Sequence, residues 1–296
     1  MMSSPLATRI SAVLDSSGIR TGALDHVAGG MHFLRHNHTT VQEATLYQPL
    51  LCLVLQGAKE VGTIARTLKI ADGQSLLVSH TLPVTSRITE AQPSRPYIAL
   101  VLPIDLDLLR GLVSDAPALP SGTQRDPFSI SLSQTDPDLE DALSRYLEQT
   151  KTELCRTLIA PITLSEIHAR LLIGPHGAQL QKLLWHETTT SRVFRATQHI
   201  QANLSSNIVI ADLAEHAGMS SSAFFEQFKA VTGTSPLQYQ KDLRLLQARD
   251  ALRTTGSKVS EIAYRVGYES SAQFSREYSR KFGQSPRKDR VSEAVG

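Results

Sequence analysis

Two stretches near the end of the chain repeat one pattern of apolar and polar positions. In the first, residues 211–236, Leu213, Ala214 and Ala217 form the apolar face of a short helix. A turn glycine, a capping serine and apolar residues at helical spacing then follow, namely Gly218, Ser220, Phe224, Phe228 and Val231. The second stretch, residues 260–286, keeps this order in Ile262, Ala263, Val266, Gly267, Ser270, Phe274, Tyr278 and Phe282. The pattern predicts a helix, a tight turn and a second helix, twice.

The two copies stay in register over their whole length. Gly218 corresponds to Gly267 at an offset of 49 residues, and Pro236 corresponds to Pro286 at an offset of 50. One residue, Glu269, is therefore added in the second turn. A single copy would fit an ordinary helical hairpin, but internal repetition at a fixed period favours a repeated functional unit. In a helix-turn-helix of the kind that reads DNA, the second helix lies in the major groove.

The residues between the two copies continue the helical spacing. Residues 240–256 fit one long amphipathic helix ended by Gly256, with its apolar face formed by Leu243, Leu246, Ala248 and Leu252. Such a helix would hold the two copies at a fixed separation, as two reading units on neighbouring stretches of major groove require.

The first half of the chain has a different pattern, of short apolar runs separated by glycine, proline and Asp-Gly. These runs predict strands at 49–57, in KEVGTIA and RTLKI, and at 75–79, 84–91, 96–104 and 128–132. Helices are predicted at 105–113 and in three stretches after Asp136, namely DLEDALSRYLEQ, SEIHARLLIG and AQLQKLLWHE. The pattern predicts a small barrel or sandwich followed by helices.

Length and charge agree with two domains. The chain has 296 residues, which we divide into a domain at 1–187 and a domain at 188–296. Residues 191–296 contain 15 Lys and Arg against 10 Asp and Glu, whereas residues 1–190 contain 15 against 18. A basic C-terminal part favours contact with nucleic-acid phosphates.

Other features place the protein in the cytoplasm. The two cysteines, Cys52 and Cys155, form no disulfide pattern. We expect no signal peptide and no membrane-spanning segment, because the chain has neither a charged start followed by an apolar run nor a stretch of about 18 apolar residues.

The repeated part of the chain resembles a known family. Residues of about 192–290, through SPLQYQKDLRLLQAR and VGYESSAQFSREYSRKFG, are similar to the DNA-binding domain of AraC/XylS transcriptional regulators. Residues of about 40–185, through LCLVLQGAKEV and LLIGPHGAQLQKLL, resemble the N-terminal domain of the same regulators. The resemblance implies an α+β fold, with an N-terminal cupin-like β-barrel and trailing helices, followed by an all-α double helix-turn-helix domain.

The resemblance also implies which residues contact DNA, at the exposed positions of each second helix. Carried over, these are Ser221, Ser222, Phe225 and Glu226 in the first copy and Ser271, Ala272, Ser275 and Arg276 in the second. To them we add the capping serines and the exposed basic residues of the same helices, Ser220, Lys229, Ser270 and Arg280. Many family members carry a basic residue where Glu226 stands. A carboxylate there would repel phosphate, although it can accept a hydrogen bond from a cytosine amino group.

The N-terminal domain of this family binds a small effector, dimerises, or does both. A mostly apolar pocket needs few oriented polar groups, so we single out Arg87 and Tyr97, with His80, as candidate effector contacts. The alternative is that Arg87 is an exposed strand charge and Tyr97 packs at the rim of the barrel. Val84, Ser86 and Ile88 share one face of their strand and Thr85 and Arg87 the other, and the sequence leaves open which face is inward.

We expect neither a metal site nor enzymatic activity. His32, His36, His38 and His80 are the possible metal ligands, but the histidine spacing of metal-binding cupins is missing. We therefore predict a cytoplasmic, nucleoid-associated transcriptional regulator without a cofactor. We assign it as an activator, while the sequence leaves activation and repression both open. Its expected partners are promoter DNA, a small effector, RNA polymerase and a second copy of the chain. One alternative is a regulator whose N-terminal domain only dimerises or docks a protein, and another is a cupin-type metalloenzyme fused to a DNA-binding module.

Overall fold

The computed structural model describes residues 4–25, 29–115, 128–185 and 188–291. Its strands are β1 (Gly22–Asp25), β2 (His32–His36), β3 (Glu43–Tyr47), β4 (Leu50–Gln56), β5 (Ala58–Gly62), β6 (Thr67–Ala71), β7 (Gln74–Val78), β8 (Leu82–Glu90), β9 (Tyr97–Pro103) and β10 (Ile130–Gln134). The helices that accompany them are α1 (Pro5–Ser16), α2 (Leu106–Asp115), α3 (Pro137–Gln149), α4 (Glu153–Leu158), α5 (Ala160–Ile173) and α6 (Gly177–Leu184). The remaining helices are α7 (Thr189–Ala202), α8 (Ile210–His216), α9 (Ser221–Thr232), α10 (Pro236–Thr254), α11 (Val259–Arg265), α12 (Ser271–Phe282) and α13 (Pro286–Val291).

The chain divides into two compact units. The first comprises Met1–Glu43 and Tyr47–Ser191, and the second comprises Ala44–Leu46 and Arg192–Gly296. The α+β class and the all-α character of the C-terminal part are confirmed. The boundary predicted between residues 187 and 188 stays a prediction, and residue 187 itself lies outside the described residues.

The strands form two antiparallel sheets rather than one closed barrel. One sheet has the order β1-β2-β9-β4-β7-β10 and the other has the order β3-β8-β5-β6. Each strand predicted from the sequence is present, and the strand predicted at 128–132 begins later, at Ile130. The cupin-like architecture therefore holds at the level of two facing sheets with trailing helices.

Alternation along β4 assigns the two faces of the larger sheet. Leu51, Leu53 and Leu55 pack into a hydrophobic core with residues of α1, α3 and α5. Cys52 and Val54 lie on the opposite face, and the Cys52 sulfur is 3.1 Å from the Lys59 amine on β5 of the second sheet. The side chains of this opposite face therefore line the interior between the sheets.

Helix α1 and strands β1, β2 and β3, all within the first 47 residues, were not predicted. Helix α1 is capped by Ser4, whose hydroxyl accepts a hydrogen bond from the Ala7 amide, and it buries residues at helical spacing. Strands β1 and β2 follow it. β2 buries Arg35, which reaches back to Asp15 at the end of α1, with 2.6 Å between Nη1 and Oδ1. A buried arginine is not an expected strand signal, because only its partner on another element makes the burial favourable.

The connecting helix is longer than predicted and ends earlier. It begins at Pro236, where Ser235 caps it by accepting from the Gln238 amide, and it ends at Thr254. The expectation that Gly256 terminates this helix is wrong, since Thr255 is already extended. The predicted apolar face is buried, with Leu243, Leu246, Ala248 and Leu252 all at most 8% exposed.

No helix in the described part of the chain combines the length and apolar character needed to cross a membrane.

Candidate functional site

The first helix-turn-helix, which we call the first head, comprises α8 and α9. Gly218 turns the chain between them with φ of 63°, a left-handed conformation that favours glycine. Ser220 caps α9, because its hydroxyl accepts from the Ala223 amide at 3.3 Å. The helix ends at Gly233, again left-handed.

The second head comprises α11 and α12 and repeats these devices. Gly267 has φ of 93°, and a Cβ at this position would lie 2.4 Å from the backbone oxygen of Ser205. This turn therefore tolerates only glycine. Ser270 caps α12 by accepting from the Gln273 amide at 3.3 Å.

Aromatic residues bury the inner face of each recognition helix, α9 and α12. Phe224 and Phe228 are fully buried in the first head, and the Phe228 ring meets Tyr239 of α10 edge-on at 5.4 Å. In the second head Phe274 and Tyr278 are fully buried. Phe282 is only partly buried, which corrects the expectation of a third core aromatic.

The residues predicted to contact DNA lie on the outer part of each recognition helix. In the first head all six are exposed: Ser220, Ser221, Ser222, Phe225, Glu226 and Lys229. In the second head Ala272, Arg276 and Arg280 are exposed, whereas Ser270, Ser271 and Ser275 are partly buried. The Ser275 hydroxyl donates to the Ser271 carbonyl at 2.8 Å, so this serine hydroxyl also serves the helix itself.

The second head is fastened to its surroundings by buried charge. The Asp289 side chain on α13 is 0% exposed and accepts hydrogen bonds from Arg249 at 2.9 Å, from Arg253 at 3.1 Å and from the Tyr278 hydroxyl at 2.7 Å. Burial alone would raise the pKa of Asp289, but these bonds and the two arginine charges lower it below its usual range. Lys281 of α12 similarly pairs with Asp242 of α10 at 2.6 Å.

Two residues in or next to the second head were not singled out from the sequence. Gln273 is exposed on α12, between Ala272 and Arg276 in the chain, and its amide nitrogen donates to Glu277 at 3.4 Å. Its position three residues before Arg276 is a helical-spacing signal that could have identified it. Asp289 gave no such signal, since its arginine partners lie 36 and 40 residues away in the chain.

Comparison with known families decides the identity. The family model described as AraC-type transcriptional regulator N-terminus matches residues 28–179, and a helix-turn-helix domain model matches residues 213–291.

The chain belongs to the AraC family of transcriptional regulators.

Relatives in this family are similar over different lengths. The transcriptional regulator ExsA of Pseudomonas aeruginosa is 25% identical over 240 residues, which cover 80% of this chain and 84% of ExsA. The transcriptional activator RhaS of Yersinia pestis is 34% identical over 116 residues, or 37% of this chain and 42% of RhaS. The chain is thus a DNA-binding transcriptional regulator of AraC type.

A solved structure has the same two-domain fold. ToxT of Vibrio cholerae, bound to an unsaturated fatty acid, superimposes with a TM-score of 0.57 at 10% identity, covering 90% of this chain and 96% of ToxT. At this identity the likeness concerns the fold alone.

The candidate effector contacts of this AraC-family chain lie in three different surroundings. Arg87 lies on the outer face of β8, where its side chain is 47% exposed and pairs with Glu60 at 2.6 Å. Val84 and Ile88 are buried, so the inward face of this strand is the one they share with Ser86. Arg87 therefore occupies the place of an exposed strand charge, and its contact with an effector stays a prediction.

His80 is fully buried and already bonded. Its Nδ1 lies 2.9 Å from the Ser79 hydroxyl and its Nε2 lies 3.1 Å from the Thr190 carbonyl oxygen. Burial lowers the pKa of His80 to about 4, so the ring is neutral at pH 7. Its contact with an effector likewise stays a prediction.

Tyr97 is the candidate that faces the interior. It is 1% exposed at the start of β9, and its hydroxyl makes no well-aligned hydrogen bond with the described residues, although the Cys52 sulfur, a weak acceptor, interacts with it. Since buried polar groups are nearly always bonded, this hydroxyl is the best placed of the three candidates, and its contact with an effector stays a prediction.

Within the described residues, no three histidine, cysteine, aspartate or glutamate side chains come together as metal ligands. His32 instead lies 2.6 Å from Asp25, an ordinary surface pair.

Proposed function

We propose that this chain is an effector-controlled transcription factor that reads promoter DNA with both heads. The observation that carries the proposal is the repetition: two capped recognition helices, each with an aromatic inner face and an exposed polar outer face, flank the continuous helix α10. A helix-turn-helix presents such an outer face to base edges in the major groove.

The chemistry of the exposed side chains supports a division of roles. Arg276 has no hydrogen bond or ion pair with the described residues, so its guanidinium is available for bidentate contact with guanine. Glu226 can accept from a cytosine amino group. Lys229 and Arg280, further along each helix, are suited to phosphate contact.

The interior between the two sheets supports effector control. Buried apolar residues line it together with the Tyr97 hydroxyl, which makes no well-aligned hydrogen bond. A mostly apolar interior with few polar groups is the composition of many small-molecule sites. We propose that an effector bound there changes the affinity of the chain for DNA. We also propose that the chain pairs with a second copy and contacts RNA polymerase to activate transcription. Its place of action would be the cytoplasm, at the nucleoid.

The test is selection of DNA sites from a random pool by the purified full chain. The proposal predicts a consensus of two blocks about 10 base pairs apart, one per head. Recovery of no consensus would contradict DNA reading. A consensus whose binding no small molecule changes would instead support an N-terminal unit that only dimerises or docks a protein.

A further inference from the structure

A buried lysine lies in the interior between the sheets. Lys59 is on β5, is 4% exposed, and points toward β4 of the opposite sheet. Its ammonium donates to the Cys52 sulfur at 3.1 Å and to the Tyr47 hydroxyl at 3.3 Å. An ammonium has three N–H donors, so the third has no acceptor among the described residues.

The other buried charges of the described residues are all paired with an opposite charge. Arg35 is 2.6 Å from Asp15, Asp242 is 2.6 Å from Lys281, and Asp289 is met by two arginines. Lys59 alone, among the buried Asp, Lys and Arg side chains that the structure describes, has no ion pair. An unpaired buried charge is costly, and it persists where function requires it.

The ammonium is the form present at neutral pH. Burial by itself would lower the pKa of Lys59, but its interactions with the Cys52 sulfur first, and then with the tyrosine oxygens beside it, outweigh burial and raise this pKa. The pKa of Tyr97 is also raised, first by burial, so its phenol is neutral and keeps its proton. The interior therefore presents two donors that no oxygen acceptor satisfies, the third N–H of Lys59 and the O–H of Tyr97, and a positive charge without a carboxylate.

The surroundings of these donors are apolar. Val61 and Ile88 share the inner face with Lys59, and Ala99 shares it with Tyr97; all three are at most 7% exposed. Tyr47 and Ser86, joined by a 3.2 Å hydrogen bond between their hydroxyls, are only half-buried and border this interior on the solvent side.

We infer that the effector is an organic monoanion, with a carboxylate that accepts from Lys59 and Tyr97 and an apolar body that packs between the sheets. This inference rests on the proposed effector control and names the ligand class. Two donors and one positive charge match the two oxygens and the single charge of a carboxylate, whereas a phosphate would need more donors. A carboxylate also supplies the missing counter-ion.

The test is calorimetry and thermal unfolding of the full chain with matched probes: benzoate, octanoate and oleate, each against its neutral amide. We expect at least one carboxylate to bind saturably and to raise Tm, and its amide to bind about tenfold or more weakly, because a charge-assisted bond is lost. Lys59→Met is expected to abolish this discrimination, and Tyr97→Phe to weaken carboxylate binding several-fold. Lys69→Met is the matched control, since Lys69 is an exposed lysine of the adjacent strand β6 paired with Glu90, and it should leave binding unchanged.

Thermal unfolding of Lys59→Met without ligand distinguishes the loss of a ligand contact from the loss of a structural contact. If Lys59 is an unpaired charge, ligand-free Lys59→Met has a Tm equal to or above that of the parent chain. A lower Tm, together with no binding by any of the three carboxylates, would show that Lys59 is a structural partner of Cys52 and would overturn the inference. Equal binding of an amide, or retained carboxylate binding by Lys59→Met, would also overturn it. In those last two cases effector control itself would stand, because a ligand still binds.

Discussion

The two heads have the same devices in the same order, yet they differ in how they are held and in charge. The first head packs through aromatic contacts, such as Phe228 against Tyr239, and its exposed carboxylates outnumber its single lysine. The second head is tied by buried ion pairs to α10 and α13, and α12 carries three basic residues against one acidic residue. The two heads therefore share one backbone arrangement and differ in their surface charge.

Because of this difference, we expect the two heads to contribute differently to DNA binding. A recognition helix rich in arginine gains more from the phosphate backbone than one that carries Glu226. We expect the second head to anchor the protein and the first head to contribute selectivity through base contacts.

The largest expected effect concerns the ion pairs that hold the second head. Asp289→Ala leaves two arginines facing each other without their carboxylate, and we expect a loss of about 3–5 kcal/mol in the free energy of unfolding. Urea unfolding of the variant measures it. Asp250→Ala is the control, because Asp250 is an exposed aspartate next to Arg249 on the connecting helix α10, and a comparable loss there would show that the buried cluster is not special.

The same carboxylate makes the second head sensitive to acid. The pKa of Asp289 is lowered in the folded protein, so its contribution to stability is complete above the unfolded value of about 3.9 and is lost as pH falls further, through the folded pKa. We expect the stability gap between the parent chain and Asp289→Asn to be constant from pH 7 to 5 and to shrink below pH 4. A gap that already closes between pH 7 and 5 would contradict the assignment.

The two turn glycines, Gly218 and Gly267, should differ in the stability that is lost when each is replaced. Gly267→Ala forces a Cβ to 2.4 Å from the Ser205 carbonyl oxygen as well as a left-handed alanine, and we expect a cost of about 3 kcal/mol. Gly218→Ala meets only the Arg192 guanidinium, at 3.6 Å, so the left-handed conformation alone should cost about 1 kcal/mol. Thermal unfolding of both variants measures the two losses of stability. Equal losses would contradict the role given to the close contact with Ser205.

The two heads could be predicted because their signals lie within a few residues of one another in the sequence. Much of the N-terminal unit could not, because it depends on contacts between residues that are distant in the chain. Ser220, Gly218 and the aromatic spacing each act within a few residues, so the sequence contained them. The outward direction of Arg87 became clear only from the pairing of β8 with β5, and the burial of Lys59 depends on Cys52 in the other sheet. Helix α1 is an exception, because Ser4 and its apolar spacing were local signals that went unused.

A smaller effect should separate base contact from phosphate contact within the second head. Arg276→Ala is expected to cost about 1–3 kcal/mol of specific affinity and to relax preference at one base pair. Arg280→Ala should weaken binding to all sequences alike and reduce the slope of log affinity against log salt by about 1. Fluorescence anisotropy over a salt series measures both, and uniform weakening by Arg276→Ala would make it a phosphate contact.

The central claim is that both heads recognise DNA sequence. The most direct test is selection of DNA sites by the full chain and by two single variants, Glu226→Ala and Arg276→Ala. The account predicts two conserved blocks about one helical turn, or 10 base pairs, apart, with each variant relaxing a different block. A single block, or two variants that relax the same block, would contradict it.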